Sequence, residues 1–142
     1  MMPKEKEECE ELLNFLLDFA VNQLKKQGEF YPFGAVMLDC GDINATAFYD
    51  ADNEFPDSAD IIKNLTETHK VKAEKGEIKA SGICWNATVS LENGAQTDAL
   101  IISLEHRDNY SVIVGQPYCL GFFRKLKLSS IFAQEGRHEV FS

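Results

Sequence analysis

The sequence predicts an α+β fold: an antiparallel sheet of five to six strands with two helices on one of its faces, in the order αββαβββ. Three observations predict it. Apolar residues recur at three- and four-residue steps near the start of the chain and again past residue 58. From residue 78 the period changes to two, and hairpin-type turn residues separate the later strands. The 142 residues suffice to bury a core without disulfide or metal staples. No internal repeat, low-complexity stretch or linker divides them, so residues 1–142 read as a single domain.

Residues 5–27 form the first helix. Cys9, Leu12, Leu13, Leu16, Ala20 and Leu24 make its apolar stripe, widened by Phe15, Leu17 and Phe19. Glu7, Glu8, Glu10 and Glu11 crowd its first turns and Lys25 and Lys26 its last, matching the helix dipole, and Gly28 is a natural stop. A hairpin follows from 31–38 and 43–49, turning at Cys40-Gly41-Asp42, with Pro32 placed at a strand start or edge. The loop 50–57 leads to a second helix over 58–75, capped by Asp57 or Ser58 and stopped at Gly76, with Ile61, Ile62 and Leu65 on one face. The strand 78–91 alternates, placing Ile83, Trp85, Ala87, Val89 and Leu91 on one side. Glu92-Asn93-Gly94-Ala95 turns the chain into a strand over 97–105, and Arg107-Asp108-Asn109 turns it into another over 110–114. Pro117 and Gly121 break the pattern, and 122–131 offers a further strand through Leu126 and Leu128.

The formal charge of −9 sits in one place. Residues 27–62 contain no Lys or Arg and eight acids: Glu29, Asp39, Asp42, Asp50, Asp52, Glu54, Asp57 and Asp60. Residues 63–142 carry ten basic and nine acidic residues and are near neutral. Solvated faces usually intersperse the two signs, so a single-sign segment calls for an explanation. An acidic surface argues against nucleic acid and anionic membranes, which need a basic face, and leaves a basic protein as the fitting partner. The charged start is unlike a secretory leader, and no apolar run has the length of a membrane span, so a cytoplasmic location is expected.

Cys9, Cys40, Cys84 and Cys119 are widely spaced and read as reduced, buried thiols, with two disulfides formally open. Three Asn-x-Thr triplets, at Asn44, Asn64 and Asn86, carry no weight without a secretory route. No metal site or cofactor is expected: His69, His106 and His138 fit no ligand spacing, and no glycine-rich phosphate loop occurs. Asp50-x-Asp52-x-Glu54 opens like a calcium loop but lacks Gly at its sixth place and a carboxylate at its twelfth. Two arrangements could hide chemistry: Cys40 or Cys84 paired with His106, and Glu105-His106-Arg107-Asp108 at a strand end. Neighbouring strand residues point to opposite faces, so Glu105 and His106 need not converge. The plainer reading makes the cysteines core and the histidines surface, and sends Phe30-Tyr31-Pro32-Phe33 and Phe122-Phe123 into the core, with a small-molecule pocket as the other use for either aromatic run.

Gly28-x-Phe30-Tyr31-Pro32-Phe33-Gly34-Ala35, then Thr97-Asp98-Ala99, Leu104-Glu105-His106-Arg107-Asp108 and Pro117-Tyr118, together resemble a family of small bacterial proteins without an assigned activity, over about residues 12 to 118. The resemblance implies a bacterial, single-domain protein and no mechanism. In size, acidity and lack of a catalytic motif the chain is also similar in type to immunity proteins of bacterial toxin systems, including toxin–antitoxin and contact-dependent growth inhibition systems.

The leading expectation is therefore a non-enzymatic, cytoplasmic binding protein, an immunity-type inhibitor of a basic toxin domain such as a nuclease. Its expected surface comprises Asp39, Asp42, Asp50, Asp52, Glu54, Asp57 and Asp60, with Phe48, Tyr49 and Phe55 as aromatic anchors. The alternatives are a small enzyme or ligand-binding domain with a pocket near Glu105 and His106, and a housekeeping or oligomerising domain whose acids confer solubility.

Overall fold

The structure is a computed structural model that describes residues 2–48, 56–122 and 125–141. It contains α1 (Lys4–Gln27), β1 (Phe33–Leu38), β2 (Ile43–Thr46), α2 (Ser58–Glu74), β3 (Ile78–Ser90), β4 (Gln96–His106), β5 (Tyr110–Leu120), β6 (Leu126–Leu128) and β7 (Phe132–Glu135). The α+β reading is borne out, with a larger sheet than expected. Seven strands form one antiparallel sheet in the order β2-β1-β3-β4-β5-β6, and β7 also pairs with β5.

Helix boundaries follow the local chemistry. Gly28 ends α1 in the left-handed region at φ 80°, where its N–H reaches the Leu24 carbonyl. Asp57 is the N-cap of α2, which runs to Glu74 ahead of Gly76. The buried stripe of α1 is Glu8, Cys9, Leu12, Leu16, Ala20 and Leu24, close to the one read from periodicity.

The helices do not share a face. Alternate residues of each strand point to opposite sides, and the two core clusters separate accordingly. Cys9, Leu12, Leu16, Ala20 and Leu24 of α1 pack on Ala35, Met37, Ala80, Cys84, Leu100, Ile102 and Leu104. Ile61 and Leu65 of α2 pack on Ile83 of the other face. Two small residues let the helices approach. A Cβ on Gly82 would lie 2.5 Å from Leu16 Cδ1, and one on Gly34 would lie 2.9 Å from His69 Cε1. The one-face expectation failed because helix periodicity reports that a stripe is buried and not which side buries it.

β5 is longer than expected and runs through Pro117. The Pro117 carbonyl accepts from Ser129 N–H (2.9 Å), so the proline nitrogen also faces the outer strand, where the register slips. Two residues of β5 lie between Gly115 and Tyr118, but three lie between their partners Leu128 and Phe132. One extra residue near 129–131 thus makes a bulge, and a proline opposite it forfeits no ladder hydrogen bond. Gln116 completes the arrangement by donating from Nε2 to the Ser129 carbonyl.

Two further expectations are corrected. Cys40 and Cys119 are exposed, with Cys9 and Cys84 buried and all four thiols free. Phe122 is 93% exposed, while Phe123 lies outside the described residues.

Candidate functional site

Of the residues expected to meet a partner, Tyr49, Asp50, Asp52, Glu54 and Phe55 lie outside the described residues. The others divide between two ends of the molecule. Asp39 and Asp42 are exposed in the β1–β2 turn, and Asp57 and Asp60 are exposed at the start of α2. The six residues of β1, at ~3.3 Å each, set these ends roughly 20 Å apart. Asp39 is also compensated: Arg107 Nη1 donates to its Oδ1 at 2.5 Å.

Phe48 belongs to a second feature, a groove of about 520 Å³ between the C-terminal half of α1 and the segment entering β1. Its walls are Phe19, Gln23 and Gln27 of α1, then residues 29–33, then Ala47, Phe48 and Ser58. The four-residue steps from Phe19 to Gln27 align one side of the helix along it. Phe33 is its buried floor, at 7% exposure, whereas Phe19 and Tyr31 are 43% and 52% exposed. The rings stand inclined to one another: Phe19 to Phe33 at 4.6 Å and 53°, Phe30 to Phe33 at 5.7 Å and 72°. Among the described residues of the lining, Glu29 is the one that carries a charge, and none is Lys or Arg. Sequence reading identified the aromatic run but sent it to the core, where Pro32 and Phe33 are found, whereas Phe30 is half-buried and Tyr31 exposed. Phe19, on the margin of the α1 stripe, was the available sign that one wall would stay open.

Glu105 and His106 lie on opposite faces, and both are buried. Glu105 Oε1 accepts from Val140 N–H (2.9 Å) and Phe141 N–H (3.3 Å), tying the chain's last residues over the α2 face. His106 faces α1. Its Nδ1 accepts from Asp108 N–H at 3.1 Å, so the proton of the neutral ring sits on Nε2, which donates to Glu8 Oε1 at 3.0 Å. The other oxygen of Glu8 pairs with Lys79 Nζ. Burial alone would raise the Glu8 carboxyl, but the hydrogen bonds from Lys79 and His106 hold it below its ordinary 4.5. This triad clasps the start of α1 to β3 and β4.

His69 was expected at the surface and is fully buried. Its Nδ1 meets Ser81 Oγ at 2.7 Å and its Nε2 meets Thr46 Oγ1 at 2.8 Å. Each hydroxyl can donate or accept, so a neutral ring is satisfied in either tautomer. Burial, with Lys72 adding like charge, pulls its pKa to about 4. A tie from a helix to two strands accounts for the arrangement without a reaction. The buried thiols are not poised as nucleophiles either: burial pushes Cys9 up to about 12 and Cys84 higher still. Cys84 is four residues along β3 from Ala80, the register partner of His106, so the two do not meet.

Comparison with protein-family models, curated proteins and solved structures gives no match. Among the described residues, no helix is long and apolar enough to cross a membrane.

Proposed function

We propose that this protein is an acidic, cytoplasmic binding domain that captures a cationic protein surface, in its most concrete form an immunity-type inhibitor of a basic toxin domain such as a nuclease. The observation that carries the reading is the position of the groove. It is built largely from the segment that lacks Lys and Arg, and it leaves two aromatic side chains about half in water. Partly exposed aromatics beside single-sign charge combine a short-range anchor with long-range steering. A nuclease must present cations to phosphate, and an acidic domain can occupy that surface. The Glu105–His106 pocket is not the basis of this reading, because those side chains occupy opposite faces.

The test is calorimetric titration of the purified toxin domain encoded by an adjacent gene, over a salt series. Affinity is expected to fall roughly tenfold or more between low and moderately high salt. Reversal of Asp57 and Asp60 to Lys, and separately of Asp50, Asp52 and Glu54, is expected to weaken binding and flatten the salt dependence. Unchanged affinity and slope in both variants would show that the surface has been misplaced. A genomic neighbourhood with no toxin removes the immunity form of the reading.

A further inference from the structure

We propose that the aromatic groove is a cage for a cationic side chain, an arginine or lysine that the partner inserts between Phe19 and Tyr31. The inference deepens the binding reading and rests on it.

Leaving two large aromatic side chains 43% and 52% exposed forgoes hydrophobic burial that such rings usually gain. Phe33, two residues past Tyr31, is by contrast buried to 7%. Phe19 and Phe30 each pack on the buried Phe33 ring, at 4.6 Å and 5.7 Å, so the aromatic floor is held together while Phe19 and Tyr31 keep exposed ring area along the groove. Ring faces carry partial negative charge and attract cations within about 6 Å of the centroid. The rim adds acceptors of the right kind: the Gln23 and Gln27 amides and the exposed Glu29 carboxylate. A planar guanidinium lies flat on an aromatic face while donating from its edge, which suits this combination of walls and rim.

Charge selects among occupants. None of the described residues of the lining is basic, and residues 27–62, which supply most of it, contain no Lys or Arg. An anion would be repelled and a neutral apolar group would leave the rim acceptors unused. The volume of about 520 Å³ accommodates an arginine side chain with room for its backbone at the mouth.

The experiment uses the full chain, labelled with nitrogen-15, titrated with acetyl-Gly-Arg-Gly-amide and with acetyl-Gly-Gln-Gly-amide as the uncharged control. The arginine peptide is expected to shift the amides of Phe19, Gln23, Phe30, Tyr31 and Phe48 with millimolar affinity, and the glutamine peptide to leave them in place. Tyr31→Ala is expected to weaken binding about fivefold, and Tyr31→Phe to restore it. Tyr31 is half exposed, so neither variant threatens the fold. Equal shifts from both peptides, shifts confined to other residues, or an unaffected Tyr31→Ala overturn the cage. The two readings fail separately. Tight, salt-sensitive capture of a basic partner with no effect of Tyr31→Ala or Phe19→Ala ends the cage and leaves the binding reading. Arginine-specific shifts in a protein that binds no basic toxin support the cage and end the immunity reading.

Discussion

The two faces of the sheet are held by different physics. The α1 face carries a continuous apolar cluster contributed by one helix and four strands, with a charged clasp of Glu8, Lys79 and His106 at its margin. The α2 face carries a compact cluster of Ile61, Leu65 and Ile83, and sets a fully buried histidine between two hydroxyls beside it. Apolar burial is indifferent to pH, and the His106 imidazole on the α1 side has the Glu8 carboxylate beside it, whereas His69 between its two hydroxyls keeps both bonds only while it stays unprotonated. The α1 face therefore sets the stability of the domain, and the α2 face sets the conditions under which it persists. The segment joining β2 to α2, which holds half of the eight acids of residues 27–62, leads into the more conditional of the two.

The largest expected effect tests the first half of that contrast. Leu16→Ala removes a side chain with no solvent exposure from the middle of the α1 cluster, where surrounding residues on several strands limit collapse. The expected loss is about 4 kcal/mol by urea denaturation, against about 2–3 kcal/mol for Leu65→Ala in the smaller α2 cluster. Equal losses would mean that the two faces do not differ as supports.

This contrast was only half legible in the sequence. Periodicity at Cys9, Leu12, Leu16, Ala20 and Leu24 reported the α1 stripe because one simple repeat encodes it. His69 falls on the α2 stripe, eight residues past Ile61 and four past Leu65. It was read as surface because its burial depends on hydroxyls 23 residues before it and 12 after it, and on a missing Cβ at Gly34. The same limit applied to Glu8 and His106, 98 residues apart. The groove was concealed for a related reason. An aromatic run looks alike in sequence whether its rings are buried, as at Phe33, or half in water, as at Tyr31. Pro117 misled in the other direction, since the bulge that excuses it is made by residues 129–131.

Acid sharpens the comparison. His69 is pulled from 6.5 to about 4. Above pH 6.5 the ring is neutral in the folded and unfolded chain, and its contribution is intact. Between pH 6.5 and about 4 the unfolded chain takes up a proton that the folded chain refuses, so stability falls as pH falls, by about 3 kcal/mol in all. Glu8, held below 4.5, contributes stability above that value and loses it only as pH falls further. Unfolding midpoints measured from pH 7 to 4 are expected to decline in the native protein and to flatten in His69→Gln, which offers hydrogen-bonding groups without titrating in this range. A Glu8→Gln variant is expected to leave the slope above pH 5 unchanged. A decline that survives His69→Gln would assign the acid sensitivity elsewhere.

The smallest expected effect concerns the far end of the acidic segment. Asp39 and Arg107 form an ion pair whose side chains are 57% and 48% exposed, and solvent screening limits such pairs to about 0.5 kcal/mol. Asp39→Asn is therefore expected to move the thermal midpoint by only a degree or two. Its effect on partner binding is expected to be equally slight, because Arg107 already offsets the charge and the turn stands roughly 20 Å from the groove along β1. Asp57 and Asp60, at the start of α2 near Ser58 of the groove wall, differ in this respect, and their reversal is expected to be felt. A partner that discriminates Asp39→Asn as strongly as the Asp57 and Asp60 reversals would have to span both ends of the sheet. In that case the acids of residues 27–62 act as one extended surface, and the groove is only a part of it.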